Sequence, residues 1–268
     1  MRVTILASGS GGNATLVQAG GARILVDAGV GPEVIRERMA RVLGRALDID
    51  AIVITHAHAD HAGKLAACAR SFGAPVYATE ATLRRVPPLE GVRTTAYGCA
   101  TPFDVGPVRI HPAPIPHDAP QVALVVEHAW ARAAIVTDLG SVPKSLVRHL
   151  EGCQLVMIES NHDPDMLARG PYPEFLKRRV ASPLGHLSNA QAAELIAKLG
   201  PETCEVVLMH VSRHNNTPLL ALRTAQRALN GRKVKLRVAQ QDVPIDLHVR
   251  WSATVRRRMH EAQLALPL

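Results

Sequence analysis

The sequence predicts an α+β fold in which two β-sheets pack together and helices cover their outer faces. Three observations predict it. Short β-branched runs recur through the chain and are bounded by Gly, Pro, Asn or Asp, as strands are. Strands cluster ahead of helices in both halves, which excludes a regular βα alternation and an all-β sandwich. The 268 residues are 47% apolar but only 3% aromatic, so a sizeable core must be built from Val, Leu, Ile and Ala.

Taken in order, residues 3–6 form a strand and 7–13 a turn-rich loop. Gly9, Gly11 and Ala14 formally fit a dinucleotide-binding fingerprint, but a strand at 15–18 follows where that motif needs a helix, so this reading is rejected. A strand at 23–27 ends in Asp27, and a helix at 32–41 begins with Pro32. A strand at 52–55 hands over to a helix at 62–72. Further strands are expected at 76–78, 108–111, 122–127, 134–137, 155–159, 206–211 and 234–238, with helices at 143–150, 173–180, 188–199 and 218–229. Ser188 with Gln191 makes a capping box, and Thr217 caps a helix whose first residue is Pro218. No internal repeat, low-complexity linker or boundary divides the chain, so residues 1–268 are read as one domain.

The chemistry concentrates where the strand at 52–55 gives way to a helix. His56 and His58 lie two apart on extended backbone, so their side chains point the same way and can close on one ion. Asp60 and His61 lie past the bend and can serve a second ion nearby. Four ligands from six residues cannot complete two coordination shells, so later strand ends must supply the rest. His117 in a Pro-stiffened loop, with His111 as its competitor, Asp138 after an apolar strand and His210 after another are the candidates. Asp27 is placed to hold a metal-ligating imidazole in one tautomer.

A net charge of +8 and a pI of about 9.8 favour an anionic partner. The clusters are Arg36, Arg38, Arg41 and Arg45; Arg84 and Arg85; Lys177, Arg178 and Arg179; Arg232, Lys233, Lys235 and Arg237; and Arg256, Arg257 and Arg258. Such dispersed charge suits contact with nucleic-acid backbone phosphates, while the scarcity of aromatics speaks against a stacking platform for single strands. Cys68, Cys99, Cys153 and Cys204 contain no Cys-x-x-Cys spacing and are expected as buried fillers rather than metal ligands or disulfides. The N-terminal apolar run is too short for a signal peptide and no run approaches membrane-spanning length, so a cytoplasmic protein without membrane contact is expected.

The order of Asp27, His56, His58, Asp60, His61, His117, Asp138 and His210 resembles the metallo-β-lactamase fold superfamily over nearly the whole chain. Asp138, where classical β-lactamases carry Cys, points to the phosphodiesterase and glyoxalase side. The local strings SGSGGN at 8–13, PHDAP at 116–120, TDLG at 137–140, ESNHD at 159–163, GHLSN at 185–189, HVS at 210–212 and NNTP at 215–218 are similar to the YycJ/WalJ group, which is associated with 5′ to 3′ exonuclease action on DNA.

The resemblance implies an α/β (α+β) fold, an αββα sandwich of two mixed sheets. It implies one divalent ion held by His56, His58 and His117, a second by Asp60, His61 and His210, and Asp138 bridging them; the His-rich shell suits zinc and the carboxylates manganese. Asp60 is given the further task of steering the nucleophile's proton. His186, just before a helix, resembles the extra His of nuclease relatives such as RNase Z, and can contact or protonate an anionic oxygen. Asn13, His162, Ser212 and Asn216, with Asp163 and His214, are expected to line the cleft. The expected reaction is hydrolysis of a phosphodiester by metal-activated hydroxide. Two rivals stand beside it: hydrolysis of a cyclic phosphodiester, thioester or lactone by the same fold, and a non-catalytic nucleic-acid-binding protein.

Overall fold

The computed structural model describes residues 1–249, so the basic run of Arg256, Arg257 and Arg258 lies outside the described residues. Two seven-stranded sheets form. The first runs in the order β14 (Ile245–His248), β1 (Arg2–Ala7), β2 (Ala14–Ala19), β3 (Ala22–Val26), β4 (Ala51–Val53), β5 (Val76–Thr79) and β6 (Thr94–Tyr97). The second runs β7 (Phe103–Val105), β8 (Val108–Ile115), β9 (Gln121–His128), β10 (Ala131–Val136), β11 (Leu155–Glu159), β12 (Glu205–Met209) and β13 (Lys235–Val238). In each sheet the first four strands pair antiparallel and the last three join in parallel. No repeat is visible in the sequence, yet the two sheets share one pairing order.

Parallel neighbours need crossovers, and these are helical. On the first sheet they are α1 (Pro32–Leu43), α2 (Ala59–Ala62), α3 (Leu65–Phe72) and α4 (Glu80–Leu83). On the second they are α5 (Lys144–His149), α6 (Pro164–Arg169), α7 (Glu174–Val180), α8 (Asn189–Ala197) and α9 (Pro218–Ala228). The inner strands such as β4, β11 and β12 bury both faces, which is why they read as continuous apolar runs rather than alternating ones. Along β3, Ile24 packs between the sheets with Val17, Ile110, Leu124 and Met157, while its neighbour Leu25 faces outward to Ile35, Met39 and Cys68. The outer face of the second sheet packs Val136, Val156 and Leu208 against Leu146, Leu195 and Ala225. The result is the four-layer αββα arrangement.

The helix expected over 62–72 is interrupted. Gly63 closes α2, and the Lys64 N–H leaves the helical ladder to donate to the Ala28 carbonyl at 2.9 Å, so α3 starts afresh at Leu65. Three strands escaped the sequence reading. β6 has three exposed residues in four and β7 has only three residues, while β14 is the outermost strand of the first sheet, so none carries a buried apolar run. The Ser188–Gln191 capping box and the Thr217 cap form as expected. Cys68 and Cys153 are buried as expected, but Cys99 is exposed: it lies in the turn after edge strand β6, where there is no second layer to cover it. No helix among the described residues is long and apolar enough to cross a membrane.

Candidate metal centre

Parallel strands end at a common sheet edge, and the titratable residues gather there. Asp27 follows β3, the stretch from Thr55 to His61 follows β4, Asp138 follows β10, Glu159 closes β11 and His210 follows β12. His117 comes from the β8–β9 loop and His186 from the segment ahead of α8. Asp27, Asp138 and His210 adopt left-handed backbone with φ of 62°, 58° and 51°. Among the described residues, the other non-glycine residues in that region are Ala129 and Asn230, both in turns. Such a conformation costs about 1–2 kcal/mol per residue, and here it turns three side chains sharply off their strands toward one point.

Asp138 is the junction. Its Oδ2 lies 2.8 Å from His61 Nε2 and 3.4 Å from His56 Nε2, and its Oδ1 lies 2.7 Å from His210 Nδ1. Asp60 Oδ2 approaches His210 Nε2 at 3.3 Å and His61 Nε2 at 3.6 Å. His117 Nε2 is 3.2 Å from His58 Nδ1. Three overlapping groups therefore have ligand atoms within 4.8 Å of one another: His56, His58, His117 and Asp138; Asp60, His61, Asp138 and His210; and Asp138, Glu159, His186 and His210. The first two group the same residues as the sets that the resemblance implies.

Two carboxylates support the imidazoles from behind. Asp27 accepts from the Thr55 backbone N–H at 2.9 Å and from the Thr55 hydroxyl, and its Oδ2 lies 2.7 Å from His61 Nδ1. Because Asp27 can only accept, His61 Nδ1 carries a proton there, and Nε2 is the nitrogen turned toward Asp138, where a second proton or a metal ion satisfies the carboxylate. Glu159, wholly buried, accepts from the Leu139 and Leu187 N–H groups through Oε2 and meets His186 Nδ1 at 2.7 Å and His210 Nδ1 at 3.1 Å through Oε1.

The charge state follows from this geometry. Burial takes His56 down to about 4, assisted by repulsion from His61. For His61 burial acts in the same sense, but Asp138 and Asp27 together reverse it and raise the ring to about 10. His210 is likewise raised well above the usual histidine range, burial being outweighed by Asp138, Asp60 and Glu159. Burial pushes Glu159 up, yet His186 and His210 hold it at about 2. Protons on buried imidazoles balance a carboxylate cradle. Nε2 of His56 and Nε2 of His210 are buried and have no hydrogen-bond partner. Unpartnered buried nitrogens converging with carboxylates fit divalent-metal ligation.

The profile of the Beta-lactamase superfamily domain matches residues 22–211. This chain belongs to that superfamily. Exodeoxyribonuclease WalJ of Streptococcus pneumoniae serotype 2 (strain D39 / NCTC 7466) is 33% identical over 229 residues, covering 82% of this chain and 85% of that protein. Exodeoxyribonuclease YycJ of Bacillus anthracis is 32% identical over 235 residues, covering 85% and 89%. Among solved structures, the metallo-β-lactamase fold protein YhfI from Bacillus subtilis aligns with a TM-score of 0.70 at 17% identity over 92% of this chain and 99% of that one, a likeness of fold alone. Within the superfamily, the identities place the chain in the WalJ/YycJ group.

The other residues singled out in this superfamily member fall on both sides of the cluster. Ser212 lines a cleft of about 300 Å³ with His58, Asp60, Asp138, His186, His210 and Arg179. Asn13 is buried behind it, its amide nitrogen 2.9 Å from His61 Nε2 and its oxygen accepting from the Gly9 N–H. Asn216 is also buried and ties the Ser160 and Asn161 carbonyls to Asn189. His162 is buried, and its backbone carbonyl accepts from the Asn189 N–H. His111 pairs with Glu127 on the second sheet, which leaves His117 as the residue at the cluster. The sequence reading missed Glu159, Asp118 and Arg179. Asp118 Oδ1 lies 3.4 Å from His58 Nε2 and 3.3 Å from His117 Nε2, and Arg179 donates to its other oxygen at 2.6 Å. Glu159 carries the same signal as Asp27, an acid closing an apolar strand. Much of the basic charge is committed internally: Arg36 to Ser71, Arg38 and Arg41 to the 241–242 turn, Arg237 to Glu205.

Proposed function

We propose that this protein is a metal-dependent phosphodiesterase that removes nucleotides from DNA, working 5′ to 3′ as an exonuclease. The observation that carries the reading is the Asp138 carboxylate shared by two His-rich groups, in a chain whose relatives WalJ and YycJ are named exodeoxyribonucleases. His56, His58 and His117 would hold one divalent ion, Asp60, His61 and His210 a second, and Asp138 both. The imidazoles suit zinc and the carboxylates also suit manganese. Both sheets contribute ligands, which supports reading the chain as one domain.

Ions bound there would supply Lewis acidity, activating water and offsetting charge on the phosphate. The chain's own residues do the rest. Asp27 keeps His61 in the tautomer that leaves Nε2 unprotonated for ligation. Asp60, partly exposed to the cleft, orients the proton of the attacking water. His186 lines the same cleft with Nδ1 fixed by Glu159, so Nε2 is the nitrogen left to donate a proton to the departing oxygen. The basic surface contributes contacts to backbone phosphates.

The test is digestion of end-labelled duplex DNA bearing a 5′-phosphate by metal-loaded protein, beside a chelated sample and Asp138→Asn. Asn tolerates the left-handed backbone at this position, so the variant adds no backbone strain. Progressive loss from 5′ ends, absent from both controls, is the expected result. No digestion by the loaded protein moves the reading to a small phosphodiester or thioester.

A further inference from the structure

We propose that one face of α7 is a subsite for the terminal nucleotide of the DNA strand, with Phe175 stacking on its base and Arg179 holding the adjoining phosphate. The inference rests on the nuclease reading above. Phe175 is 69% exposed, more than any other large apolar side chain among the described residues. The sequence holds only 3 Phe, 3 Tyr and 2 Trp, and among the described residues Phe175 and Trp130 are exposed.

Its position gives the ring a use. Residues 175 and 179 are four apart on α7 and share a face about one turn, or roughly 6 Å, from each other. Arg179 lines the cleft that holds Asp60, Asp138, His186 and His210. Its Nε is bound to Asp118, which touches His58 and His117, so the guanidinium is anchored beside the metal ligands. Half of the Arg179 side chain is exposed, and its two terminal nitrogens remain for an anion. Of the neighbouring cations, Lys177 is committed to the Ala168 carbonyl and Glu174, and Arg178 is not among the residues that line the cleft. Arg179 therefore stands in the cleft beside the metal ligands, and the Phe175 ring lies one turn away along α7, outside the residues that line the cleft. A nucleotide attached to the phosphate under attack presents charge and then a flat base at comparable spacing. A single ring makes no platform for a long strand, but it suffices for one base, and stacking tolerates any sequence.

The experiment compares two duplexes on metal-loaded full-length protein, one with a natural nucleotide at the digested end and one with an abasic residue there. The natural-to-abasic ratio of kcat/KM is expected to fall about 5- to 150-fold from wild type to Phe175→Ala, the range that loss of one stacked base gives. Phe175→Trp should restore the ratio. Taking the ratio within each protein cancels any change in fraying of the duplex end. Trp130→Ala removes an exposed ring from the β9–β10 turn, at the end of β10 remote from Asp138, and should leave the ratio at the wild-type value. Arg179→Gln should weaken both substrates alike and reduce the log–log salt slope of DNA binding by about one. An unchanged ratio in Phe175→Ala overturns the subsite while leaving the nuclease reading standing. Failure of wild type to digest either duplex removes the nuclease reading, and the subsite with it.

Discussion

Asp27→Asn tests how the cluster is charged. The substitution preserves shape, and Asn accepts the φ of 62° that Asp27 adopts. If the amide oxygen stays on the Thr55 N–H at 2.9 Å, the amide NH₂ replaces the carboxylate oxygen 2.7 Å from His61 Nδ1. Two donors cannot face each other there, so His61 must shift its proton to Nε2, the nitrogen directed at Asp138 from 2.8 Å. A protonated Nε2 cannot ligate. Loss of such a supporting partner weakens metal affinity about 10- to 100-fold, or roughly 1.4–2.8 kcal/mol. Asp27→Ala goes further, leaving the buried Thr55 N–H without an acceptor, about 1–3 kcal/mol, and forcing Ala into left-handed backbone, about 1–2 kcal/mol. It should therefore be about 2–5 kcal/mol less stable than Asp27→Asn. Equilibrium dialysis against buffered zinc reads the first effect and guanidinium unfolding of the metal-free proteins the second. Wild-type zinc affinity in Asp27→Asn would refute the tautomer argument, and equal stability of the two variants would refute the backbone argument.

Other changes separate chemistry from fold. His58→Ala removes a side chain that is one-third exposed at the cleft, so turnover should vanish while the unfolding midpoint barely moves; wild-type turnover would remove the metal mechanism. Glu159→Gln takes the charge from a carboxylate that faces two imidazoles and two N–H groups, and should cost about 3 kcal/mol in urea unfolding. A loss under about 0.5 kcal/mol would mean the charge has little structural role. Asp246 reports on acid stability: burial raises its carboxyl, but the paired hydrogen bonds from Arg2 outweigh this and hold it below its ordinary 3.8. A depressed folded value means the Arg2 pair stabilises above about pH 4 and is lost as pH falls through that lower value. Asp246→Asn should therefore be less stable near pH 7, with the difference closing on acidification; a constant difference would contradict the assignment.

The convergence of His56, His58, His61, Asp138 and His210 was legible because each follows an apolar β-branched run, and parallel strands end at one edge. Knowing that a residue comes just after a strand was almost enough to place it. Glu159 obeys the same rule but occupies the last strand position, where a charged residue is ordinary, and only its two imidazole contacts distinguish it. Asn13 and Asn216 carry polar side chains in loops, so they read as substrate contacts. Their partners, Asp60 with His61 and Ser160 with Asn189, are remote in sequence, and that commitment was invisible. Arg179 and Asp118 are 61 residues apart and meet only because α7 folds back over the cleft. The edge strands β6, β7 and β14 were missed because an edge need not be buried on both faces.

The shared strand order of the two sheets explains why a single carboxylate became the junction. Asp27 and Asp138 occupy equivalent places, each just past the last of the four antiparallel strands of its sheet and each in left-handed backbone. Asp27 meets Thr55 and one imidazole of its own sheet, whereas Asp138 meets imidazoles from both: His56 and His61 beyond β4, His210 beyond β12. Metal ligation there would therefore tie the sheets to each other. Binding energy applied across two sheets should appear in both, about 4 kcal/mol when free metal exceeds its dissociation constant 1,000-fold. Chelation should then lower amide-exchange protection in β4 and β12 together, by similar free energies. Loss of protection confined to one sheet would mean that the ligand set is not shared, and the assignment of Asp138 as the bridge would fall.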